Sequence, residues 1–190
     1  MKKILLLFFI GSFCTTCIAQ NSTIFIKAIG SRGPGFTDGV FDGGSNDARH
    51  PHEIEALAYS DAIAGCNNIG KGTGAASCKS SKSPFSFSMG ISFAVNSFKY
   101  NLVIGKFITS VDMVIRKDGE EPFEYYKVHM ENVQVTAVSE GSGGEAPMFN
   151  IELDPQKVAW QIIKQNDDGP SIKSTFGWDY AANKAFNWGF

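Results

Sequence analysis

The chain has 190 residues, 43% hydrophobic and 19% charged, with 17 lysines and arginines against 19 acids. That composition is enough for one domain with a sizeable core. A mildly acidic chain without a basic block is excluded as a phosphate-gripping nucleic-acid binder. No basic amphipathic helix is present to lie on an anionic membrane.

The chain opens MKKILLLFFIGSFCTTCIAQ, with Lys2 and Lys3, an apolar run from Ile4 to Ile10, and a small-x-small site ending at Ala19. This is the layout of a secretory signal cleaved after Ala19. The run is far short of the roughly 20 apolar residues of a membrane span. A lipid on Cys17 and an uncleaved anchor are the rival readings. Residues 1–19 are therefore expected to be a leader and residues 20–190 one mature domain, exported to the periplasm or outside the cell. The leader removes two basic residues and no acid, so the mature domain has 15 basic against 19 acidic residues.

Ser22 to Gly30, STIFIKAIG, alternates with Ile24, Ile26 and Ala28 on one face and is predicted as a strand. A polar, glycine-rich connection follows, then a strand over Glu53 to Ser60. GCNNIGKGT, Gly65 to Thr73, has the glycine spacing of a phosphate loop, in which backbone N–H groups and a lysine hold the phosphates. Such a loop needs a helix after it, whereas GAASCKSSKSP has no apolar helical period and ends at Pro84. A surface loop is the better reading. Cys66 and Cys78 bracket it. Two cysteines in an oxidising compartment most simply pair, closing the loop and stabilising the fold by roughly 3 kcal/mol. Two free thiols are the alternative.

FSFSMGISF, Phe85 to Phe93, alternates as a strand. VNSFKYNLVIGKFIT, Val95 to Thr109, is the one helix candidate. Asn96 or Ser97 is its expected cap, Phe98, Leu102, Val103 and Phe107 its stripe, and Gly105 a weak point within it. SVDMVIRK and EEPFEYYKVHME flank Asp118-Gly119 as a hairpin, with Val111, Met113 and Ile115 on one face. NVQVTAVSE, MFNIELD and QKVAWQIIKQ add strands, and Phe176 to Tyr180 is expected to dock as another. The sum is eight or more strands and one helix, a mainly β sandwich or barrel.

Chemistry-bearing patterns are few. His50 and His52, with Glu53 or Asp47, have a weak metal-ligand spacing interrupted by Pro51. His129 reads as structural. No G-x-S-x-G elbow is present, and the acidic pairs fall in turns. A non-enzymatic binding or assembly module is the better expectation.

Taken in order, several segments resemble one family: IFIKAIG, the pattern His50, Glu53, Ile54, Leu57, Tyr59 and Ser60, VIRKDG from Val114, Glu124-Tyr125, VTAVSEGSGGE from Val135, and FGWDY from Phe176. They are similar to Hcp, the haemolysin-coregulated protein, the tube subunit of type VI secretion. The resemblance spans nearly the whole mature chain. It implies a small β-barrel of two sheets with one short helix, no catalytic site and no cofactor. It also implies a hexameric ring that stacks into a tube, partners at a spike, and effector cargo in the lumen. By position, the stretch Gly70, Lys71, Gly72, Thr73 and Gly74 would be a loop between subunits or rings, and Ser60 a lumen-facing cargo contact. The leader departs from the family, whose tube subunits assemble in the cytoplasm. An exported Hcp-like binding module that builds no tube is the alternative.

Overall fold

The computed structural model describes residues 21–65, 81–119, 121–144, 146–166 and 169–190. The expected leader, Cys66, Cys78 and Gly70 to Gly74 lie outside these residues.

Eleven strands and one helix are present among the described residues. They run β1 (Ser22–Gly30), β2 (Gly39–Val40), β3 (Ile54–Ser60), β4 (Ile63–Ala64), β5 (Ser81–Lys82), β6 (Phe85–Met89), α1 (Phe93–Ile104), β7 (Ile108–Lys117), β8 (Phe123–Gly141), β9 (Met148–Asn166), β10 (Gly169–Asp179) and β11 (Lys184–Ala185). Six of them close a barrel in the order β9-β6-β3-β1-β7-β8, because β8 pairs back onto β9. Closure removes the edges that an open sheet would expose. β2 joins β1, β10 and β11 extend from β9, and β4 with β5 forms a second, two-stranded sheet.

Closure depends on β9. Its Phe149 to Leu153 stretch pairs with β6, while Lys157 onward pairs with β10. Its other edge pairs with β8 from Met148 to Ile162. MFNIELD and QKVAWQIIKQ, expected as two strands, form one, β9, continuous over 19 residues through Pro155, and β8 likewise runs unbroken over 19 residues. Pro155 sits inside β9 opposite Val133, and the adjacent Asn132 takes φ 50°. The β8–β9 register runs unshifted past Pro155, and the irregularity in this pair falls between Val135 and Ala137.

Alternation fills the interior as predicted. Ile26 and Ala28 of β1 and Val111 and Met113 of β7 are wholly buried, and Ile115 nearly so. The helix packs against β8 and inserts Phe98 between Phe41 and Phe87, ring centroids 5.1 and 5.8 Å away. Its bounds differ from the predicted Val95 to Thr109. β6 stops at Met89, and Phe93 opens the helix behind an extended Ser92 that makes no side-chain cap bond. The Asp42 carbonyl accepts the Ala94 N–H at 2.9 Å in place of the expected Asn96 or Ser97 cap. Gly105, at φ 66°, ends the helix and donates to the Leu102 carbonyl. It is a left-handed terminator, so the buried stripe is Ala94, Val95, Phe98 and Asn101, and Val103 and Phe107 are exposed.

A second layer lies outside the barrel. Alternation turns Phe25, His129 and Ala159 outward, yet all three are buried. The 41–53 connection covers Phe25 by stacking His50 on it at 4.1 Å. The last residues cover His129 by stacking Trp188 on it at 3.6 Å.

Candidate assembly surface

The two strands of the small sheet frame residues 66–80. Ile63 pairs with Lys82 and Ala64 with Ser81, and the Ala62 carbonyl accepts the Ser83 N–H at 2.9 Å. This stem is fixed to the barrel rim on both sides. The Trp160 indole N–H donates to Asp61 Oδ2 at 2.8 Å. Lys82 bonds to Asp154, with its ammonium 5.2 Å from the Tyr180 ring centre. The first described element after the glycine-rich stretch is β5, a strand.

The rim around the stem is aromatic. Tyr59 stacks on Phe85 and on Tyr126. With Ser22, Ile24, Ile115, Tyr125 and Ile162, Tyr59 and Tyr126 line an open cleft of about 530 Å³. Burial pushes the Tyr126 phenol up to about 12, with the Tyr59 phenol and the Asp61 carboxylate adding to the shift. Tyr59 is raised for the same reason. These phenols therefore remain hydrogen-bond donors at any physiological pH.

Ser60 ends β3, is exposed, and stands at the head of an ordered row. It pairs with Ser86, which pairs with Glu152, which pairs with Ala137. The next row outward on the same face is Ala58, Ser88, Asn150 and Ser139. Serines and alanines, with Asn150 and the carboxylate of Glu152, therefore tile this face of four strands. Such a wall offers hydrogen bonds with little bulk. Met148, exposed at the end of this face, is an apolar group at its border. Other exposed apolar groups are Leu57 beside the β3 irregularity, Phe36 and Phe93 near the helix start, and Val103 and Phe107 near its end.

The histidines do not converge. His50 places Nδ1 2.9 Å from Glu53 Oε2 and Nε2 3.4 Å from Glu124 Oε1. Burial pushes the Glu53 carboxyl above its ordinary range, against the pull of His50. His52 is exposed at φ 61° beside Asp42. His129 is buried with Nδ1 2.5 Å from Asp112, a structural role as expected. Among the described residues no group of three or more His, Cys, Asp or Glu is placed to hold a metal ion.

An ion-pair node ties the 41–53 connection to the barrel. Arg116 bonds Asp47 at 2.8 Å and Asp118 at 3.0 Å while lying 4.8 Å from the Phe25 ring centre. The Arg116 guanidinium and the backbone N–H groups of Arg49 and His50 hold the Asp47 carboxyl well below its ordinary range. Phe25 is thus clasped between His50 and Arg116. Sequence reading missed this node because the partners lie far apart in the chain.

The family model described as "Type VI secretion system effector, Hcp" matches residues 26–162. The crystal structure of Hcp1 from Salmonella typhimurium superimposes with a TM-score of 0.67 at 27% identity, covering 87% of this chain and 99% of that one. Hcp2 from the same organism gives 0.59 at 28%, covering 85% and 98%. A type VI secretion system effector from Yersinia pestis gives 0.61 at 25%, covering 82% and 98%. No curated protein matches significantly.

Proposed function

Because the chain belongs to the Hcp family of type VI secretion proteins, we propose that it works as a non-enzymatic structural subunit, exported and assembled into hexameric rings. Rings stack into a tube, with a spike protein at the tip and effectors sheltered in the lumen. Residues 66–80, with Gly70 to Gly74 at their centre, reach a neighbouring subunit or ring, and a Cys66–Cys78 disulfide reduces the entropy that ordering them would cost.

The observation that carries this reading is the anchored stem. A segment meant only to join β4 to β5 needs no rim contacts, whereas Trp160–Asp61 and Lys82–Asp154 fix the direction in which this one leaves the barrel. The small polar wall headed by Ser60 supports a lumen role, since passing cargo needs hydrogen bonds without steric obstruction.

Deleting residues 70–76 tests the loop assignment. Loss of rings with the barrel's melting behaviour retained is expected. Unchanged assembly contradicts it. Ser60→Trp is expected to leave the ring intact and reduce co-purification of effector, and unaltered cargo retention removes Ser60 from the lumen.

A further inference from the structure

The outer face of the barrel contains a groove that runs straight across five strands. The register aligns Lys27 of β1, Asp112 of β7, His129 of β8, Ala159 of β9 and Gly177 of β10. Its floor narrows from charged groups at one end to the two smallest residues at the other. The chain's own last residues lie in it. After Asp179, whose Oδ1 accepts the N–H groups of Ala181 and Ala182 at 2.9 Å, the backbone turns through Asn183 at φ 50°. β11 then pairs with β10, and Phe186 N–H donates to the Gly177 carbonyl at 2.9 Å. A Cβ on Gly177 would sit 2.2 Å from the Phe186 carbonyl oxygen. The floor is thus shaped for this segment.

Two side chains anchor it. Trp188 lies parallel to the His129 ring, 3.6 Å away with 5° between planes. Phe186 lies under the Lys157 ammonium at 5.0 Å, and Lys157 is itself held by Glu131 at 2.8 Å. The cover is one residue thick, since Trp188 and Phe190 remain more than a third exposed while His129, Ala159 and Gly177 of the floor are buried. Lys27, Asp112, His129 and Ala159 fall within the family match, which ends at residue 162; Gly177 and the covering segment lie past it.

We propose that this groove is a docking site for an extended, aromatic-bearing segment, filled within one chain by Lys184 to Phe190 and equally by the same segment of a second copy. The contacts of Phe186 and Trp188 are reproduced in exchange, because the residues that would open as a hinge, Ala181 to Asn183, are exposed and outside the groove. Exchange of an identical element is a low-cost route to association. It does not depend on whether rings form.

The test uses a labelled peptide of sequence KAFNWGF and the full mature chain. W188A weakens the internal occupant and leaves the floor intact, so the peptide should bind it at least about tenfold more tightly than wild type. Unlabelled full-length G177A, whose own segment is displaced by the new Cβ, should compete the peptide off, and G177A/W188A should not. Failure of the peptide to bind a W188A chain that melts like wild type overturns the proposal, as does failure of G177A to compete. Should W188A not fold, hydrogen exchange on the wild type decides. Lys184 to Phe190 amides exchanging faster than those of β8 and β9 support a cover that opens alone, and equal protection overturns it.

Discussion

Asp47 shows how one side chain couples a loop to the barrel. Its carboxyl is held below the ordinary 3.8, chiefly by Arg116. A depressed folded-state value contributes stability that is present above the unfolded value and lost as pH falls through the folded one. Asp47→Asn should therefore melt below wild type at pH 7, and the gap should close as both are taken well below pH 3.8. A gap that persists in acid contradicts the assignment. Tyr126 works in the opposite direction. Its phenol, raised to about 12 from 10.0, is favoured in its neutral form when folded, so stability falls as pH rises from 10 toward 12. Tyr126→Phe should flatten that alkaline limb, read as melting temperature against pH. Neither node is visible in the sequence. Alternation marks Phe25 as solvent-facing, and only the distant His50 reverses that reading.

At the scale of elements, period-two patterns locate β1 and β7 well and the start of β6, which ends at Met89 rather than Phe93, because one buried face in a closed barrel leaves a plain alternation. The helix was legible in kind and displaced in bounds. Gly105 was read as a helical interior residue, although its positive φ makes it the stop. Gly105→Ala should cost about 1–2 kcal/mol, the penalty of a Cβ in the left-handed region, measurable by denaturant unfolding. Phe98 closes the core between Phe41 and Phe87, so Phe98→Ala should cost about 3–5 kcal/mol by transfer and cavity terms together. A loss below about 1 kcal/mol in the same assay would mean the helix does not seal the core. The split predicted at Pro155 failed because β8 pairs continuously across it. On the opposite edge β6 stops at Leu153 and β10 starts at Lys157, so Pro155 has a partner on one edge only.

For the whole molecule, strand number and the single helix pointed to a mainly β domain, and the ordered motifs pointed to the family. Barrel closure through β8–β9 was not legible, since register between distant strands leaves no local signature. Nor was the outer layer, which is built from segments that read as loop and tail. Assembly is the proposed reading, supported by the family match and the anchored stem. The most direct test is the solution mass of residues 20–190 by light scattering coupled to size exclusion, with and without reductant. The account predicts a hexamer, weakened by reductant if the Cys66–Cys78 closure supports the interface. A monomer that persists at high concentration would contradict it and favour an exported binding module that has kept the barrel without the ring.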